Sequence, residues 1–182
     1  MQPAPVGNGG MIIDQERAWL RDYAATTCTG VGAIVDLGCF VGSSTIALAE
    51  GLVDNRKHPD AKVHAYDRFL WDEFLQMWWN KQGFSPPQIS GDSLLPEFLL
   101  RTSTWKDQII VHQEDLNTAR WGKTPIEFLF IDAMKSPELA EAIARAFFPY
   151  LISGFSYVAH QHFAHFFAFW IHLLQFKLRN RF

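Results

Sequence analysis

The sequence has 182 residues, 48% hydrophobic and 19% charged, with a formal net charge of −3. That is enough for one globular domain with a sizeable core, and it excludes a disordered chain. The mildly acidic balance advertises no basic surface for nucleic acid. The two cysteines, Cys28 and Cys39, form neither a disulfide framework nor a metal-ligand spacing, which fits a reducing cytoplasm.

Residues 1–10, MQPAPVGNGG, lack the basic and apolar regions of a signal peptide and read as a flexible tail. Residues 11–182 read as a single domain. Over 11–27 the apolar positions Ile12, Ala18, Trp19, Leu20 and Tyr23 trace roughly one helix face. AIVDL at 33–37 is a buried strand, and SSTIALAEGL at 43–52 is a helix. AKVHAYD at 61–67 is a second strand. The stretch 70–106 is too long for a simple crossover. With Trp71, Phe74, Met77, Trp78, Trp79 and Phe84 it reads as a helical insertion over one end of a sheet, its aromatics packing as a lid. DQIIVHQED at 107–115 and PIEFLFID at 125–132 are the third and fourth strands. Residues 136–151 form a helix that starts at Ser136, with Pro137 in its first turn. FSYVAHQ at 155–161 is a fifth strand, and 163–180 is helical. The apolar run 163–174 is too short and too rich in His to span a bilayer. Strand–helix alternation of this kind predicts a Rossmann-like, doubly wound α/β fold, mainly parallel, with helices on both faces.

In such sheets ligands sit beyond the carboxyl ends of the strands. The first strand ends in Asp36–Leu37 and runs into Gly38-Cys39-Phe40-Val41-Gly42, with Ser43 and Ser44 opening the helix. The glycines permit a tight turn and close approach of backbone to a ligand, and the helix start offers free N–H groups. The spacing G-x-x-x-G, with Phe40 inside it, fails the dinucleotide fingerprint. An acid before the first glycine would repel a pyrophosphate, whereas it tolerates a ligand that carries an ammonium group.

The D-x-G-x-x-x-G pattern of Asp36, Gly38 and Gly42 resembles the first motif of class I S-adenosylmethionine-dependent methyltransferases. Asp67, followed by Arg68, ends the second strand, where that family places the acid that holds the ribose hydroxyls. Glu114 and Asp115 follow the third strand, near the place of the adenine amino group. Asp132 ends the fourth strand, beside the methyl-transfer site. Residues 127–163 look like a subgroup related to small-molecule and sugar O-methyltransferases. The resemblance implies a transferase with S-adenosyl-L-methionine as cofactor, bound by Asp36, Gly38, Cys39, Phe40, Gly42, Ser43, Ser44, Asp67, Arg68, Glu114, Asp115 and Asp132, and it leads us to expect O-methylation of a small-molecule or sugar hydroxyl. The subgroup carries an acid near the end of the fifth strand; here Gln161 or His162 takes the place, which leaves a divalent metal unsupported. The family's final antiparallel strand pair is expected to be absent.

A hydroxyl acceptor must lose its proton, which is general-base work. Asp132, His160 and His162 are the candidates at the carboxyl edge. A non-catalytic cofactor-binding or interaction module of the same fold is the alternative reading; a nicotinamide-dependent oxidoreductase is disfavoured by the glycine spacing. The partners expected are a small-molecule acceptor, with neither nucleic acid nor membrane, and a second copy of the chain through residues 155–182, where a strand edge and many aromatics would otherwise lie open.

Overall fold

The computed structural model describes residues 10–122 and 124–179. Five strands, β1 (Ala33–Leu37), β2 (Val63–Asp67), β3 (Ile109–Gln113), β4 (Ile126–Ile131) and β5 (Tyr157–His160), form one sheet in the order β3-β2-β1-β4-β5. Every pairing is parallel. This is the doubly wound sheet expected from the alternation. The chain leaves β1 toward β2 and β3 on one side and later returns to place β4 and β5 on the other. Beside β1 the strand order reverses, and a crevice opens there at the carboxyl ends.

The central strands are buried on both faces, so they read as nearly continuous apolar runs. Ile34, Val63, Ala65, Phe128 and Phe130 face α1 (Asp14–Asp22), α2 (Ser43–Asp54) and α4 (Leu95–Thr102), meeting Leu20, Ala47, Leu48 and Phe98. Val35, Leu37, Tyr66, Leu129 and Ile131 face α5 (Pro137–Phe147) and α6 (Phe169–Leu178), meeting Ile143, Phe147 and Ile171. The one acid inside β4, Glu127, is buried and paired. Its two carboxylate oxygens accept the Thr29 N–H at 2.6 Å and the Gly32 N–H at 3.4 Å, which satisfies it away from water.

The segment between β2 and β3 is largely helical. It comprises α3 (Glu73–Gln82), α4 and a 3₁₀ segment at Ser103–Gln108. Asp72 caps α3 by accepting the Leu75 N–H at 2.9 Å. Trp79 is only 1% exposed. Its indole N–H donates to Ser85 O at 2.8 Å, and its ring sits between Trp71 and the Arg101 guanidinium. The aromatics of this segment divide: Trp79 is core, while Phe74 and Met77 stay exposed on α3.

The C-terminal region departs from the expected single helix over 163–180. β5 stops at His160, residues 161–164 turn, a 3₁₀ turn covers Phe166–Ala168, and α6 begins only at Phe169. His160 and His162 therefore do not share one face of a strand, and His165 does not share a helix face with His172. The physical reason is packing. The segment is apolar all round, so pattern alone gives it no preferred face, and α6 forms where Ile171, Trp170 and Leu174 can bury against the sheet and α5. Phe166, by contrast, is 92% exposed, and Phe167, Phe169 and Phe176 are also exposed. No helix among the described residues is long and apolar enough to cross a membrane.

Trp170 and Phe167 thus differ in kind. Trp170 is packed against the core and donates its indole N–H to Met134 O at 2.9 Å. Trp170→Ala is expected to cost about 2–4 kcal/mol in chemical denaturation, and Phe167→Ala less than about 0.5 kcal/mol. Equal effects would contradict this division of the helix region.

Candidate functional site

Three strand ends are tied together beneath the crevice. The Gly38 N–H donates to Tyr66 O at 2.9 Å, and the Asp132 N–H donates to Leu37 O at 2.8 Å. Gly38 has φ +88°, and a Cβ built there would lie 2.6 Å from Asp132 O. The turn between β1 and α2 therefore packs directly on the end of β4. Gly42, at φ +93°, is closed in the same way by Thr102 and Phe98 of α4. Both glycines are dictated by left-handed backbone and by neighbouring protein atoms. The sequence pattern offered a tight turn and ligand approach together as reasons; Gly38 also lines the cavity.

Above this knot lies a cavity of about 320 Å³, within the range of small-ligand sites. Its wall includes Gly38, Cys39, Phe40, Ser43, Ser44, Asp67, Arg68, Asp115 and Asp132 from the sequence-predicted set. Asp36, Gly42, Glu114, His160 and His162 do not line it. Glu114 is exposed and faces the His112 ring, 3.6 Å away. His160 is half-buried, its ring 6.2 Å from that of Phe163, and neither ring nitrogen has a hydrogen-bond partner. Burial, with His172 nearby, lowers its pKa to about 4, so it is neutral at physiological pH.

Asp67 has a double role in the wall. Oδ2 accepts the Phe40 N–H at 2.9 Å and Oδ1 accepts the Phe69 N–H at 2.7 Å. Both donors belong to residues with positive φ, 48° at Phe40 and 52° at Phe69, an uncommon backbone for bulky residues. The carboxylate holds both turns in place. Burial raises its pKa, and the Phe69 and Phe40 N–H groups and Lys135 oppose the shift. The Arg68 backbone N–H acts in the same direction, and a carboxylate offers about four acceptor positions. Across the cavity, Asp115 is held by the backbone and side-chain N–H groups of Asn117, both at 2.9 Å, and lies 3.8 Å from Arg68. The Asn117 donors keep its pKa below the ordinary value.

Asp36 is elsewhere. It is 0% exposed, directly under the glycine turn. Its Oδ2 accepts the Ser44 hydroxyl at 2.8 Å and the Thr45 hydroxyl at 2.6 Å, and Oδ1 has no hydrogen-bond partner. Asp36 clamps the start of α2 from below and does not meet a ligand in the cavity. Desolvation, reinforced by the charges of Asp132 and Asp67 and opposed by Thr45 and Ser44, raises its pKa to about 7.

Asp132 stands at the end of β4, its Oδ1 2.9 Å from His162 Nε2 and 3.6 Å from Lys135 Nζ. The His162 contact is at ion-pair distance but off the line of a hydrogen bond. Among the described residues no cluster of three or more His, Cys, Asp or Glu is arranged to hold a metal ion.

Sequence reasoning missed much of the wall. Gly10, Met11 and Ile12 lie along it, as do Asp72 and Leu75 of the insertion, and Leu116, Lys135 and Leu139. Residues 1–9 of the expected tail lie outside the described residues. Gly10 is part of the site. Leu116 and Lys135 carried a usable signal, since each lies within three residues of a strand-end acid. Met11 and Ile12 carried none.

No protein-family model matches the sequence, and no curated protein matches it. Among solved structures, CalS11, a calicheamicin methyltransferase, aligns with a TM-score of 0.56, covering 90% of this chain and 68% of its own, at 16% identity. The chain shares the fold of this methyltransferase. Two further structures, one described as an rRNA methylase from Clostridium thermocellum and the other the StiE O-MT segment, align with TM-scores of 0.48 and 0.36, too low to add to the comparison. Asp67, Asp115 and Asp132 of this chain converge on the crevice beside β1.

Two outcomes test this geometry. Gly38→Ala should destabilise the fold by about 2–3 kcal/mol, read as a lowered denaturation midpoint, because the new Cβ meets backbone of β4. Asp36 has a pKa raised from 3.8 to about 7. Between those values the folded protein holds a proton that the unfolded chain has released, so stability falls as pH rises through that window, by up to ~1.4 kcal/mol per pH unit. Asp36→Asn should remove this slope. Denaturation at pH 5 and pH 8 should therefore show the variant gaining on the wild type at the higher pH.

Proposed function

We propose that this chain binds S-adenosylmethionine in the crevice beside β1 and transfers its methyl group to a hydroxyl of a small-molecule acceptor. The observation that carries the reading is Asp67. It is a strand-end carboxylate in the cavity wall, held by backbone donors on both oxygens and with acceptor capacity not wholly used. Such a group suits a pair of adjacent hydroxyls, as on a ribose. The fold shared with CalS11 and the excess of acids in the wall, Asp67, Asp72, Asp115 and Asp132 against Arg68 and Lys135, support a cationic ligand.

When bound, the sulfonium supplies a methyl group already activated for displacement. The chain's work is then alignment and proton removal. Asp67 fixes the sugar end, Asp115 and Leu116 form the base end, and Phe40, whose ring packs 5.9 Å from Trp78 and 6.3 Å from Trp79, holds the insertion against the turn. Proximity of this kind is worth up to ~10 kcal/mol. Asp132 receives the proton of the attacking hydroxyl, a contribution of roughly 10²–10⁴-fold. His160 has no part in this step, since it stands off the cavity.

Calorimetry with S-adenosylmethionine, S-adenosylhomocysteine and NAD tests the proposal. The first two should bind and NAD should not. Asp67→Ala should weaken binding by ~2–3 kcal/mol, roughly 30- to 150-fold, in a variant shown by circular dichroism to be folded. Undiminished affinity would remove Asp67 from the site. A binding-only module of the same fold would give the heat of binding without methyl transfer to any hydroxyl acceptor.

A further inference from the structure

Behind Asp132, on the side away from the cavity, two imidazoles stand in line. His162 Nε2 lies 2.9 Å from Asp132 Oδ1, and His162 Nδ1 lies 3.0 Å from His165 Nδ1. The His162 side chain is largely covered, while His165 is exposed, its ring stacked at 5.1 Å on Phe167. Lys135 lies 3.6 Å from Asp132, and the charge of Asp132 acts on the buried Asp36. On the neighbouring turn Gln161 is engaged with Glu16 at 3.3 Å.

Two Nδ1 atoms 3.0 Å apart can share only one proton, so one ring donates and the other accepts. At the opposite end of His162, an ionised carboxylate can only accept. The arrangement that leaves neither contact repulsive has His162 carrying its proton on Nε2, toward Asp132, with a bare Nδ1 that accepts from His165. The reverse assignment puts the Nε2 lone pair against a carboxylate.

We propose that His165 is a positioning residue for the methyl-transfer base: its Nδ1–H, donated to the bare Nδ1 of His162, orients that ring, which backs the Asp132 carboxylate with its Nε2 2.9 Å from Oδ1. The inference rests on the reading of Asp132 as the group that takes the acceptor's proton. In that step the acceptor O–H bond breaks and the proton passes to Asp132. The oxygen bonds to the methyl carbon as the carbon–sulfur bond breaks, and that electron pair stays on sulfur. His162 and His165 keep their protons throughout. They act as the partners of ligating or catalytic groups commonly do, by removing wrong orientations.

The test is ring-nitrogen NMR on protein labelled with ¹⁵N in histidine, at neutral pH and without any acceptor. In the wild type, His162 should show a single neutral tautomer, protonated at Nε2. His165→Phe removes the donor and should move the His162 Nδ1 resonance to that of a ring nitrogen with a free lone pair. His165→Gln, which keeps an N–H donor, should preserve the wild-type signal. An unchanged His162 Nδ1 resonance in His165→Phe would overturn the proposal, as would a wild-type His162 protonated on both nitrogens. Calorimetry with S-adenosylmethionine on the same samples separates the two levels: a fixed tautomer with no cofactor binding would defeat the proposed function and leave the His165–His162–Asp132 geometry standing.

Discussion

The end of β1 and the end of β4 meet backbone to backbone. Leu37 accepts from the Asp132 N–H, Gly38 donates to Tyr66, and the face of Gly38 rests on the Asp132 carbonyl with no space for a side chain. Everything at the carboxyl edge takes its position from this contact. It sets the height at which the turn leaves the sheet, and hence where Phe40 can present its N–H to Asp67. It fixes Asp132 relative to the turn, and so the width of the cavity. A sheet with a looser junction here would still have its strands, but its strand-end acids would not face a common space.

The acids at the strand ends look alike in sequence and are used very differently. Asp36 is shut away from water and carries an orphaned oxygen. Asp67 shares itself between two strained turns and the cavity. Asp115 is saturated by Asn117 on one side and open on the other. Asp132 is backed by a histidine. What separates them is solvent and the number of donors already committed. Pattern reading sees neither quantity, which is why Asp36 and Asp67 seemed equivalent until their partners were visible.

The sheet itself was legible. All five strands fall within the expected segments because buried parallel strands write themselves as short apolar runs, and the α2 and α5 starts follow from small hydroxyl residues at their first turns. β1 has the expected bounds, and no other strand edge moved by more than two residues. The region after β5 was not legible. Its apolar residues are so dense that no periodicity selects a face, and the break between His160 and Phe169 is decided by what α5 leaves room for. The near wall of the cavity, Gly10 to Ile12, was hidden for another reason: its position depends on contacts from distant parts of the chain, such as that of Glu16 with Gln161, 145 residues away.

The strand order has a consequence for the order in which a ribosome delivers the parts. β1 and β2 are made early and can pair as soon as they emerge, with β3 added at the outer side. The other side of β1 has to wait for β4, whose first residue lies 89 positions after the last of β1 (126 minus 37). Until then the most central strand of the finished protein presents a bare edge of unpaired backbone N–H and C=O groups, the kind that pairs with whatever extended chain is nearby. The site is the last thing to exist, because its floor is the junction of β1 with β4. A nascent chain halted before that point would hold most of the ligand-facing residues and no place to bind one.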